Sequence, residues 1–198
     1  MAATPADPDS LREAIISGDP SRAMPALAGL REVPEEQAVP LLLLGLEQQA
    51  FMVRSLACAG LGVKRSEAGW EALREALQTD DDANVRAEAA NALASYGVTR
   101  AWPLLLQAFR VDQGWLVRCS ILSALAEQEE MEGEWLLELA TLALADADGT
   151  VRVGGAEILG RLVHEAGPSA EPARALLQRL QDDGDHRVVA AALNGLQG

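Results

Sequence analysis

The stretch "DDANVRAEAANALASYG", Asp81–Gly97, places Arg86 directly after Val85, Ala89 four residues after that Val and Leu93 eight after it. Positions four and eight residues on share one helical face, so Val85, Ala89 and Leu93 read as the inward stripe of a helix. The same set returns at Val53, Val117, Val151 and Val188, at spacings of 32, 32, 34 and 37 residues along the chain. A Leu stands eight residues after every one of these Val residues: Leu61, Leu93, Leu125, Leu159 and Leu196. Another stands twelve before: Leu41, Leu73, Leu105, Leu139 and Leu176. Self-similarity at such a period marks a repeat architecture.

Each unit reads as two helices. The second opens in an acidic turn such as "DADGTVR" or "DDGDHRVV", where a carboxylate caps free backbone N–H groups and meets the positive end of the helix dipole. The first carries the earlier Leu with apolar partners such as Leu44, Leu77 and Phe109. One such pair cannot bury both of its faces, whereas stacked pairs can. The expected fold is therefore all-α, an α-α superhelix (a HEAT/armadillo-like solenoid) of about six helix pairs. Five repeats fall at 35–62, 67–96, 100–127, 133–165 and 169–197, forming one continuous solenoid over 35–198. Residues 1–34 read as a degenerate N-terminal capping pair, 9–17 and 20–31, without the Val-Arg signature and with Pro25 near a helix start.

Composition agrees with helices and limits the partners. Hydrophobic residues make up 49% and aromatics only 4%, so the core is made of Leu, Ala and Val. A formal net charge of -14 repels phosphate backbones and anionic lipid heads, which excludes a nucleic-acid partner. No apolar run approaches the ~20 residues of a membrane span, so no membrane insertion is expected. Without a secretory pattern in "MAATPADPDS", and with Cys58 and Cys119 far apart, the chain reads as cytoplasmic and reduced, with no metal site.

Arg54, Arg86, Arg118 and Arg152 follow four of the five Val residues, and Val189 takes the slot in the last unit. An Arg there leaves the core face and reaches the acidic turn of an adjacent unit, at Asp81, Asp82, Asp112, Asp146 or Asp148. These four arginines are expected to form a structural ladder that sets the stacking register. The positions facing away from the core stripe hold Ser55, Ala59, Ala87, Glu88, Asn91, Ser95, Cys119, Ser120, Ser123, Glu127, Gly154, Glu157, Arg161 and Asn194. That face is the expected concave groove of the solenoid. Its candidate binding residues are Glu88, Asn91, Ser95, Cys119, Ser123, Glu127, Glu157 and Arg161, with the three glutamates favouring Lys or Arg on a protein partner. Trp115 has two readings, an aromatic anchor for that partner or an exposed residue of a turn. Cys58 reads as packing, and His164 as a cation at a helix C-terminus. No catalytic residues are identified. There is no phosphate-binding glycine loop, and no Ser-His-Asp set stands out.

The motif D-x-x-V-R-x-x-A-x-x-A-L, with "AFMVRSLACAGLG" and "WLVRCSILSAL" beside the opening stretch, resembles the HEAT-like repeats of the phycobilin lyase family over residues 35–197. That resemblance implies a cyanobacterial protein of the phycobilisome. It leads to two readings: a non-catalytic scaffold or assembly factor that binds a phycobiliprotein, or a phycobilin lyase or lyase subunit acting on a phycobiliprotein-bound bilin. No cofactor is expected under the first; an open-chain tetrapyrrole occupies the groove under the second. The fold also resembles deoxyhypusine hydroxylases, but those need several His-Glu pairs and this chain has only His164-Glu165.

Overall fold

The computed structural model describes residues 7–197, and every regular element among them is a helix. The chain divides into two compact units, Met1–Ala101 and Trp102–Gly198. In the first unit α1 (Pro8–Ile15) and α2 (Pro20–Gly29) precede a 3-10 turn at Leu30–Glu32. Two further pairs follow, α3 (Glu35–Leu46) with α4 (Phe51–Lys64) and α5 (Glu67–Thr79) with α6 (Ala83–Ala94), before α7 (Val98–Val111) begins. The second unit holds most of α7 with α8 (Trp115–Ala126), then α9 (Gly133–Leu144) with α10 (Gly149–His164) and α11 (Ala170–Leu180) with α12 (His186–Gln197).

The starts of these helices follow from local chemistry. Asp19, Ser66, Asp82 and Asp148 each accept a backbone N–H of the first turn, from Ser21, Gly69, Asn84 and Thr150. Pro20, not Pro25, opens α2, because its fixed φ and missing N–H suit a first helical position. Pro25 lies inside the helix.

The apolar columns become the core. Val53, Val85, Val117, Val151 and Val188 are at most 1% exposed, and Leu61, Leu93, Leu125 and Leu159 are fully buried. Leu41, Leu73, Leu105 and Leu139 are buried as well. The fixed spacing fails in the last pair, where Leu177 rather than Leu176 is fully buried and Leu196 is only half-buried. Ala173, Leu177 and Leu180 keep the register of the buried Leu136, Ala140 and Ala143, and α12 has no following pair among the described residues to cover it.

Small residues set how closely neighbouring second helices approach. A Cβ on Gly62 would come within 2.9 Å of Ala92 Cβ, and one on Gly195 within 2.8 Å of Gly160 Cα. The crossings of α4 with α6 and of α10 with α12 are thus backbone to backbone.

Candidate functional site

The turns into α6, α10 and α12 are each built on a pair of aspartates two residues apart. Asp80, Asp146 and Asp183 accept the backbone N–H two residues on, from Asp82, Asp148 and Asp185, at 2.9, 2.8 and 2.8 Å. The second member of each pair caps the helix. The first takes an arginine from the preceding repeat: Arg54 Nε reaches Asp80 Oδ2 at 2.8 Å, Arg118 Nε reaches Asp146 Oδ2 at 2.5 Å and Arg152 Nε reaches Asp183 Oδ2 at 3.0 Å. In all three, Nη2 donates to the other carboxylate oxygen, so the contact is a two-point fork. The remaining nitrogen, Nη1, donates back to its own turn, for example from Arg152 to the carbonyls of Asp146 and Ala147. Arg86 Nη1 makes the same return bond to the carbonyl of Asp80 at 3.0 Å. Arg54, Arg118 and Arg152 therefore each join two turns. Of the aspartates expected to receive them, Asp81 takes a second bond from Arg54, while Asp82 and Asp148 are caps. Asp80 and Asp183, outside that expected group, take Arg54 and Arg152.

The face of the second helices is uneven. In the first unit Ala87 is buried, and the Ser95 hydroxyl is shared between the carbonyls of Gly62 and Ala92, so neither is offered to a ligand. Asn91 is exposed and bonds Glu88, whose carboxyl is half-buried and pushed above the usual range by desolvation. Cys58 is fully buried, and burial, with Glu88 and Asp80 nearby, pushes its thiol up to about 12.

In the second unit four of the candidate residues meet. Ser123, Glu127, Glu157 and Arg161 line a depression of about 240 Å³ between α8 and α10, with Leu122, Ala126, Gly154 and Ile158 as its apolar floor and walls. Gly154 lets α10 approach Leu122 closely at this point: a Cβ there would already stand 3.0 Å from a Leu122 methyl. Glu127 and Glu157 are exposed and form no ion pair among the described residues. Arg161 is occupied, donating from Nε to Glu165 at 2.6 Å and from Nη1 to the carbonyl of Ala126. Cys119 does not line the depression. It is half-buried, and its thiol is raised first by desolvation and then by Asp148, against the pull of Arg118. Trp115 opens α8 at 48% exposure. His164 is exposed in the last turn of α10.

The aromatic pairs lie between first helices or at their ends. Trp102 stacks on Trp135 with ring centroids 5.3 Å apart, and Trp70 leans on Tyr96 while the Arg100 guanidinium lies 4.0 Å above the Trp70 ring. Tyr96 donates its hydroxyl to the Leu61 carbonyl at 2.9 Å, and burial pushes it up to about 12. Among the described residues no group of three His, Cys, Asp or Glu side chains is placed to hold a metal ion. No helix among them is long and apolar enough to cross a membrane.

Comparison with known families matches residues 39–126 to HEAT repeats. That stretch of the chain is built of HEAT repeats. Among solved structures, these repeats superpose on the complex of CpcE and CpcF of phycocyanin lyase from Nostoc sp. PCC7120 with a TM-score of 0.60 and 20% identity. That match covers 98% of this chain and 77% of the other. Human deoxyhypusine hydroxylase, solved in complex with glycerol, matches with a TM-score of 0.51 and 16% identity, covering 96% of both chains. No curated protein matches the sequence. At these identities the likeness is one of fold: an α-α superhelix of HEAT-like repeats shared with the phycocyanin lyase subunits, in line with the D-x-x-V-R resemblance.

Proposed function

We propose that this HEAT-repeat chain is a non-catalytic scaffold or assembly factor that holds a protein partner against the second-helix face, with a phycobiliprotein as the partner. The observation that carries this reading is the α8–α10 depression, which pairs an apolar floor with the unpaired carboxylates Glu127 and Glu157. Its single cation, Arg161, is held by Glu165 and the Ala126 carbonyl. A site of this kind takes a basic or neutral protein segment more readily than an anionic small molecule. Desolvation raises both thiols above their ordinary value, which disfavours the thiolate that a nucleophilic cysteine needs. The protein would act in the cytoplasm of a cyanobacterium.

The test is capture from a cyanobacterial lysate by the wild-type protein and by the Glu127→Lys/Glu157→Lys variant, read by mass spectrometry. Phycobiliprotein subunits bound by the first and missing from the second support the reading. The same partners on both would place binding elsewhere on the chain.

A second reading rests on the shared fold with the phycocyanin lyase complex. Here the depression would receive an open-chain tetrapyrrole as substrate, and Arg161 would leave Glu165 to meet a propionate. A shift in phycocyanobilin absorbance on adding the protein, lost in Arg161→Ala, would favour this over the scaffold. An unchanged spectrum would count against it.

A further inference from the structure

An open groove in the first unit lies away from the second-helix face. It runs between the first helices α3 and α5, encloses about 470 Å³ and is lined by Leu43, Leu46, Ala72, Ala76 and Thr79, with Glu47, Glu75 and Asp80 at its rim. Asp80 is held by Arg54, but the Glu47 and Glu75 side chains are exposed and have no partner among the described residues.

The repeat itself shows what belongs in this space. Counted back from the Val of each second helix, Leu46 occupies the slot that Arg110 fills on α7, and Ala72 and Ala76 occupy those of Glu138 and Leu142 on α9. In the second unit Arg110 reaches Glu138 at 2.7 Å, bridging that junction with the protein's own arginine, and Leu142 stands one turn beyond Glu138 on α9. In the first unit the arginine is missing, both facing positions are alanine, and two carboxylates are left over.

We propose that the α3–α5 groove is a docking site for a helical segment of a partner protein that presents an arginine and a leucine one turn apart. The leucine fills the space above Ala72 and Ala76, and the guanidinium meets Glu47 and Glu75, as Arg110 meets Glu138 in the second unit. The site is separate from the second-helix face, and the proposal does not depend on the function of that face.

The test uses the full chain and a fluorescent, alanine-based 14-residue helical peptide that carries Arg and Leu four residues apart in each of two turns. A copy with Glu for Arg is the control. The decisive variant is Leu46→Arg/Ala72→Glu/Ala76→Leu, which builds the second unit's closure into the first and leaves the net charge unchanged, so non-specific attraction to an acidic chain is the same. The expected result is binding of the Arg peptide, no binding of the Glu peptide, and at least a threefold weaker affinity for the closed variant. The exposed pair Glu47→Gln/Glu75→Gln, which does not disturb packing, is expected to weaken binding by at least threefold as well. Absence of wild-type binding, or a loss below threefold in both variants, overturns the proposal.

Discussion

Arg152 and Asp183 stand 31 residues apart in the chain and meet through two parallel bonds of 3.0 Å, Nε to Oδ2 and Nη2 to Oδ1. Arg118 and Asp146 repeat the arrangement with side chains only 14% and 9% exposed. Removing one member of a pair this sheltered leaves the other charge without a partner, which costs about 3 kcal/mol. Arg118→Ala is expected to lose that much in urea unfolding, and Arg118→Lys about half, because an ammonium cannot make the two-point fork. A double-mutant cycle with Asp146→Asn should return a coupling above about 1 kcal/mol. Additive single effects would mean that the fork does not set the stacking register.

The same forks make stability depend on acid. Hydrogen bonds from Arg152 and from the Asp185 N–H hold Asp183 below the usual carboxylate range. Burial pushes Asp80 up, but Arg54 and the Asp82 N–H outweigh it and the net shift is downward. Asp185, bonded by Arg187, sits at about 2. Folded values below the unfolded ~3.9 mean stability that is complete above that value and lost as pH falls through the folded ones. The contribution of these aspartates to the urea midpoint should be flat above about pH 5 and drop between about pH 4 and 2. Asp183→Asn should be less stable at pH 7 and lose less on acidification; an unchanged slope would remove Asp183 from the cause.

Glu88 works in the opposite sense. Its carboxyl is raised by desolvation, and the bond from Asn91 only partly offsets this. A folded value above the unfolded one gives stability that is present in acid and lost as pH rises through the folded value. Glu88→Gln should therefore raise the neutral-pH Tm relative to wild type and leave the value at pH 4 nearly unchanged. An equal rise at both pH values would point to packing instead of charge.

The apolar columns were legible because they need one dimension only: Val85, Ala89 and Leu93 are fixed by the helical period and recur wherever it does. The acceptor column was also there to read. Asp80, Asp112, Asp146 and Asp183 all stand five residues before the Val, while the caps Asp82, Asp148 and Asp185 stand three before it. A reading that treats each turn as simply acidic cannot separate the two roles. The groove residues are harder. Ser95 and Ala87 share their helical face with Glu157 and Ser123, and only the approach of the neighbouring helix decides which are covered. The α8–α10 depression is lined by one glycine, Gly154, and the α3–α5 groove by two alanines, Ala72 and Ala76; neither departs from an ordinary helix sequence.

The two thiols should differ in accessibility and agree in sluggishness. Cys58 is fully buried and raised to about 12, whereas Cys119 is half-buried and raised by a smaller apolar shell and two aspartates. With a disulfide reagent at pH 8, Cys119 should react more slowly than a free thiol and Cys58 only after unfolding in guanidinium. Rapid reaction of either in the folded protein would show a thiolate that this environment does not favour, and would reopen a chemical role for Cys119.

The crossing of α10 with α12 makes the sharpest packing test. A methyl group at position 195 would lie 2.8 Å from Gly160 Cα and 3.0 Å from a Leu177 methyl, and backbone cannot move aside as a flexible side chain does. Ala is the better helix former by about 1 kcal/mol, which would favour the substitution in an isolated helix. Here the contact opposes that gain, because prying two helices apart typically costs 1–3 kcal/mol. Gly195→Ala is expected to destabilise by about 1 kcal/mol net. Gly167→Ala, where nothing lies within 4 Å of the added carbon, should be near neutral. If Gly195→Ala proved stabilising in urea unfolding, the helices would have room to separate, and the close crossing would be a consequence of the glycines and not a requirement of the stack.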